Sequence, residues 1–116
     1  MNSSYRQGDI VVCEIDFSDK SGSKRRPALI VSSDKYNKMN FDDVIVVKIT
    51  SMKGTLREFD VKLTNRELDG GELKMDSIID SDHILCIDKK ILAGKKGRIN
   101  DTTRRLVISN IKKIIE

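Results

Sequence analysis

The sequence predicts a mainly β fold: a small, strongly bent antiparallel sheet or half-open barrel with one helix packed against it. Three observations lead there. Short β-branched apolar runs recur along most of the chain, polar stretches containing Gly and Ser separate them, and a helical apolar period appears at the C-terminal end. With 116 residues, one domain spanning residues 1–116 is expected, because two independent cores would each be too small to offset the entropy lost on folding.

The first strand is GDIVVCEIDF, Gly8 to Phe17, where Ile15 and Phe17 alternate with Glu14 and Asp16. A polar loop, SDKSGSKRR, follows it. PALIVSS is the second strand, with Pro27 at a first position that needs no ladder donor. DDVIVVKITS is the third, a continuous run from Val44 to Val47 that ends in polar Lys48, Thr50 and Ser51. Arg57 to Thr64 places Phe59, Val61 and Leu63 on one face, and NRELDGGE breaks that strand with a Gly pair. LKMDSIID and HILCIDKK read as two short strands or one bent one. The terminal helix is capped by Asn100 or Asp101 and carries Val107, Ile111, Ile114 and Ile115 on its apolar face.

Lys and Arg number 22 against 18 Asp and Glu, a net charge of +4. That excess suits a polyanionic partner, although the two signs are interspersed as on any solvated surface. No apolar run approaches the ~20 residues that span a bilayer, and the start, MNSSYRQGD, lacks the apolar core of a signal peptide, so a cytoplasmic protein is expected. Cys13 and Cys86 lie inside apolar stretches and read as reduced, buried thiols. His83 and Cys86 are spaced as zinc ligands are, but no second pair completes a site, so neither metal nor cofactor is expected.

Four positions carry candidate chemistry. Lys24, Arg25 and Arg26 stand at a loop-to-strand junction, and the proline after Arg26 forces that residue into an extended conformation and orients its cation. An oriented guanidinium matches phosphate oxygens with a planar fork of donors, whereas a surface ion pair is the commoner fate of an isolated Lys-Arg-Arg. Thr50 ends the central strand with a hydroxyl able to donate to a phosphate oxygen, and threonine is also simply a good strand former. His83, the only histidine, has an intrinsic pKa near ~6.5 that suits proton transfer. Asp82 beside it is a candidate base. The residues alone allow a basic phosphate-binding site around Arg26 and Thr50 and name no reaction.

The order of these pieces, an N-terminal GD before an apolar strand, then RPALIVSSDKYN, VIVVKITS and LKMDSIIDSDHILCIDKKIL, resembles the MazF/PemK (Kid) family of bacterial type II toxin-antitoxin systems over roughly residues 7 to 115. The resemblance implies an SH3-like barrel of the MazF/CcdB type with a C-terminal helix, assembled as a homodimer. It further implies a cytoplasmic, metal-independent endoribonuclease, an mRNA interferase that cuts single-stranded RNA at short motifs and is neutralised by a cognate antitoxin. Carried over by position, Arg26 matches the catalytic arginine before proline, Thr50 the catalytic threonine, Asp82 an acid of the Kid-like branch and Ser77 the family serine. His83 stands where a glutamine is frequent, Leu85 where an arginine is frequent, and Asp80 replaces an arginine used by Kid.

Such cleavage needs an acceptor for the 2′-hydroxyl proton, a donor for the leaving oxygen and stabilisation of the pentavalent anion. Arg26 stays protonated and is assigned to the anion, with proton donation also open to it and no role as base. Thr50 would hold a non-bridging oxygen, and Asp82 or His83 would accept the proton. Lys20, Lys24 and Arg25 would follow the RNA backbone, with Ser77 also at the RNA surface. The alternative is a CcdB-like gyrase inhibitor or an inactive binding protein of the same fold, for which Arg26 would be dispensable.

Overall fold

Alternating apolar residues drive the strands of a single curled sheet. The computed structural model describes residues 5–15, 24–40, 42–52 and 54–116, the side chains of Ile15 and Lys24 excepted. Among them, strands β1 (Asp9–Ile15), β2 (Lys24–Ile30), β3 (Asp43–Ser51), β4 (Asp60–Leu63), β5 (Leu68–Gly71), β6 (Ser77–Asp88) and β7 (Leu92–Ile99) are joined by helix α1 (Asp34–Met39) and followed by helix α2 (Asp101–Ile115). Their order in the sheet is β4-β6-β3-β2-β1-β7-β5, and every pairing is antiparallel.

Because neighbouring residues of a strand point to opposite faces, two apolar clusters form. On one face Ile10, Leu29, Val47, Ile49, Val61, Leu63 and Ile79 pack under Val107 of α2. On the other, Val11, Cys13, Ala28, Ile30, Val44 and Val46 are covered by Tyr5, Leu85, Ile87 and Leu92. Each fully buried Val, Leu or Ile contributes roughly 1.5–3 kcal/mol, which makes these clusters the main support of the fold. Asp9, buried at 4% exposure, is matched by Arg98 Nη1 at 2.9 Å and Lys95 Nζ at 3.2 Å, pinning β1 to β7.

Several boundaries differ from expectation, each for a local reason. β2 begins at Lys24, so Pro27 lies inside it opposite Val12; the described ladder to β3 starts only at Ala28, and the missing N–H costs no bond there. β4 begins at Asp60 because Arg57 N–H donates to Asp60 Oδ2 at 2.8 Å and Asp60 N–H donates back to Arg57 O at 3.1 Å, closing a turn. Of the two readings of the segments after Gly71, the single bent strand is the one found: β6 runs from Ser77 to Asp88 with a register break.

Helix α1 and strands β5 and β7 went unanticipated. In the β5–β7 pair a Cβ at Gly97 would come 2.7 Å from the Gly70 carbonyl oxygen, so only glycine admits this approach. Asn100 caps α2 as expected, its side chain accepting from Thr103 N–H at 2.8 Å. Two burial expectations fail: Cys86 is exposed while Cys13 is buried, and Ile115 is 72% exposed, lying in the last turn of α2.

Candidate active site

Residues opposite each other on adjacent antiparallel strands share a face of the sheet. The registers give one cross-strand row of Asp60, Asp80, Lys48 and Ala28, and a second of Lys62, Ile78 and Thr50. Extending the β2–β3 register two residues beyond Ala28 and Lys48 brings Arg26 beside Thr50. Arg26 and Thr50 line the same cleft of about 280 Å³, together with Pro27, Ser51, Met75 and Ser77. Thr50 and Ser51 also face a second cavity of about 220 Å³, whose walls include Thr55, Arg57, Asp60 and Asp80. Thr50 therefore lines both a basic cleft and an acid-lined one.

Arg26 is exposed and makes no ion pair among the described residues. Arg25, one residue earlier and so on the opposite face, pairs with Glu14 at 3.5 Å across β1 and β2. The structure separates it from Arg26. Ser77 is buried at the floor of the Arg26 cleft, its hydroxyl donating to the Met75 carbonyl at 3.2 Å. Lys20 and the side chain of Lys24 lie outside the described residues.

Asp82 and His83 meet in one cluster that also holds Arg57, which the sequence did not mark, and Asp80, noted there only as a departure from the Kid pattern. Arg57 Nη2 lies 2.7 Å from Asp80, 3.2 Å from Asp60 and 3.3 Å from Asp82. His83 Nδ1 is 4.0 Å from the other oxygen of Asp80. The Asp80 side chain is only 15% exposed, that of Asp82 44%. Burial pushes the Asp80 carboxyl above the usual carboxylate range, reinforced by its hydrogen bond to Asp82 and opposed by Arg57. Asp82 moves the other way, lowered first by that same hydrogen bond and then by Arg57. REFD carries only one of the Arg57 partners, Asp60, while the other two, Asp80 and Asp82, come from β6, distant in sequence.

Among the described residues no group of three His, Cys, Asp or Glu side chains is arranged to hold a metal ion. No described helix is long and apolar enough to cross a membrane.

A family model described as PemK-like, MazF-like toxin of type II toxin-antitoxin system matches residues 6–115. The chain belongs to this toxin family. Solved structures share the toxin fold. A MazF from Deinococcus radiodurans superposes with a TM-score of 0.73 at 18% identity, covering 98% of both chains. An endoribonuclease from Mycobacterial species gives 0.75 at 18% identity over 97% of this chain and 92% of that one. The Mycobacterium tuberculosis toxin MazF-mt6 gives 0.72 at 19%, over 92% and 95%. No curated protein sequence matches the chain. In this MazF-like toxin the expected arginine and threonine line one cleft, while Asp80 of β6 lines the neighbouring one.

Proposed function

We propose that this toxin is a metal-independent endoribonuclease that cuts single-stranded RNA, acting as the mRNA interferase of its toxin-antitoxin pair. The observation that carries the reading is that Arg26, without an ion-pair partner among the described residues, lines the same cleft as Thr50 and lies beside it across β2 and β3. A guanidinium with free donors beside a hydroxyl fits the equatorial oxygens of a phosphorane, where stabilisation of developing charge is worth most. The 2′-oxygen attacks phosphorus and forms the 2′,3′-cyclic phosphate, the bond to the 5′-oxygen breaks, and that oxygen leaves as a 5′-hydroxyl. Arg26 holds the anion, Thr50 donates to a non-bridging oxygen, and the Asp80–Asp82 pair beside His83 handles the proton.

Similar structures agree with this role: one neighbour is an endoribonuclease from Mycobacterial species in complex with its cognate antitoxin, at 18% identity and a TM-score of 0.72. The same reading makes residues 1–116 one domain, working in the cytoplasm as a homodimer that a cognate antitoxin neutralises. Lys20, Lys24 and Arg25 add salt-dependent backbone contacts, and Ser77 lines the RNA-facing cleft.

Incubating the purified protein with a long single-stranded RNA in EDTA tests the reading. Wild type is expected to give discrete cuts and Arg26→Ala to lose about 10²–10³-fold in rate, as removal of an anion-stabilising donor does. Uncut RNA in every lane would favour the binding-only class, with gyrase the next target to assay.

A further inference from the structure

The sequence pattern points to Asp82 or His83 as the proton acceptor, yet neither is among the residues that wall the Thr50 cavity. Asp80 is. Its carboxyl is the most enclosed of the cluster on β6, and Arg57 Nη2 grips its Oδ1 at 2.7 Å, the shortest of the three Arg57 contacts. The long β6 strand explains how it gets there. Val47 pairs with Ile84, but the next residue, Lys48, pairs with Asp80, so Ser81, Asp82 and His83 are left in a bulge. Skipping three residues reverses the alternation and turns Asp80 onto the face that carries Thr50.

Resting on the ribonuclease reading, we propose that Asp80 is the catalytic base that accepts the 2′-hydroxyl proton, and that Arg57 is its positioning residue, clamping the carboxyl against the cavity wall beside Thr50. In the step the 2′-O–H proton passes to Asp80 as the 2′-oxygen bonds to phosphorus, the P–O5′ bond breaks, and the leaving 5′-oxygen takes a proton from solvent to become the 5′-hydroxyl. The Asp80 proton then returns to solvent or to the Asp82 carboxylate to which Asp80 is hydrogen-bonded.

The acid–base ordering favours this assignment. A carboxylate whose proton affinity is raised toward neutrality is the better base, whereas Asp82, held low, is the weaker one. The two titrate as a coupled pair, and the charged groups facing them are Arg57, Asp60 of β4, Lys48 of β3 and His83 of β6. Arg57 also offsets the negative charge that would otherwise repel the RNA phosphate from this wall.

The test is the pH–rate profile of RNA cleavage in EDTA for wild type, Asp80→Asn, Asp82→Asn, Arg57→Ala and Arg57→Lys, with circular dichroism to confirm folding. Asp80→Asn is expected to lose about 10²–10⁴-fold, the range for a general base, and to lose the acidic limb of the profile. Asp82→Asn should lose less and move that limb to lower pH, since Asp82 no longer helps Asp80 retain its proton. Arg57→Ala should move it to higher pH, recovering rate as pH rises, and Arg57→Lys should move it back.

A cleaving wild type whose Asp80→Asn variant is intact while Asp82→Asn is dead would overturn the assignment alone. An unshifted acidic limb in folded Arg57→Ala would remove the positioning role. A wild type inert on RNA would overturn the ribonuclease reading and this assignment with it.

Discussion

The two faces of strands β3 and β6 are built from the same alternation and end differently. The face under α2 is apolar through Val47, Ile49 and Ile79, joined by Val61 and Leu63 of β4, and ends in the paired Ser51 and Ser77. The opposite face is apolar at one end, with Val44, Val46, Ala28 and Ile30, and polar at the other, with Lys48, Thr50, Arg26 and Asp80. A strand interior can thus hold a core on one side while its far end presents chemistry on the other. Separate duties make separable effects: substitutions under α2 should change stability and leave the chemistry of folded molecules alone, and substitutions at the polar end should do the reverse.

The largest stability effect is expected from Ile99→Ala. Ile99 is 2% exposed in the helix-side cluster at the β7–α2 junction, away from Arg26 and Thr50. Truncating a buried isoleucine to alanine costs about 2–5 kcal/mol, the transfer free energy plus the cavity left behind. Urea unfolding should show that loss as a lower midpoint with little change in slope. Cleavage per folded molecule, measured well below the midpoint, should stay at the wild-type rate. A matching fall in that rate would show that the two faces are not independent.

How legible each face was in the sequence follows the same division. The apolar runs of β1, β2 and β3 were visible because β-branched residues cluster there without interruption, and α2 was visible through its cap at Asn100 and its apolar period. Arg26 and Thr50 were visible because proline fixes one and a strand end exposes the other. Asp80 and Arg57 were not. A period-2 reading of SIIDSDHILCID cannot know that three residues drop out of register, and the bulge decides which acid faces Thr50. Cys86 was misjudged for a related reason: β4 pairs with β6 only from Ser77 to Asp80, so the rest of β6 has an open edge and its apolar neighbours in sequence do not enclose it. β7 was missed because LAGKKGRI carries too few apolar residues to show alternation, its pairing depending instead on the bare backbone of Gly97.

Thr50→Val sharpens the comparison from the polar end. The swap keeps a β-branched side chain in β3, so the strand should persist. It removes one of the two hydroxyl residues that line both cavities and leaves the other, Ser51, in place. A hydrogen bond to a charged group is worth about 1.5–3 kcal/mol, so cleavage should fall roughly 10–100-fold with the midpoint of unfolding nearly unmoved. An unchanged rate would take Thr50 out of the mechanism and leave Arg26 as the sole anion contact.

The smallest effect, and the one that probes the apolar end of the outer face, belongs to Cys13. It is fully buried in that cluster, and burial pushes its thiol up from the ordinary 9.0 to about 11. An acid with a raised folded-state value binds its proton more tightly folded than unfolded. Between pH 9 and about 11 the unfolded chain therefore holds fewer protons, and the Cys13 contribution to stability falls as pH rises through that window. Cys13→Ala should cost about 1 kcal/mol near neutral pH through lost packing, and should unfold with a shallower loss of stability over the same alkaline window. Thiol labelling gives the companion result: exposed Cys86 reacts in the native protein and Cys13 only on unfolding, because a buried protonated thiol is both inaccessible and non-nucleophilic. Rapid native labelling of both would mean that the outer cluster opens far more readily than the one under α2, so that the chain's two apolar faces differ in stability as well as in duty.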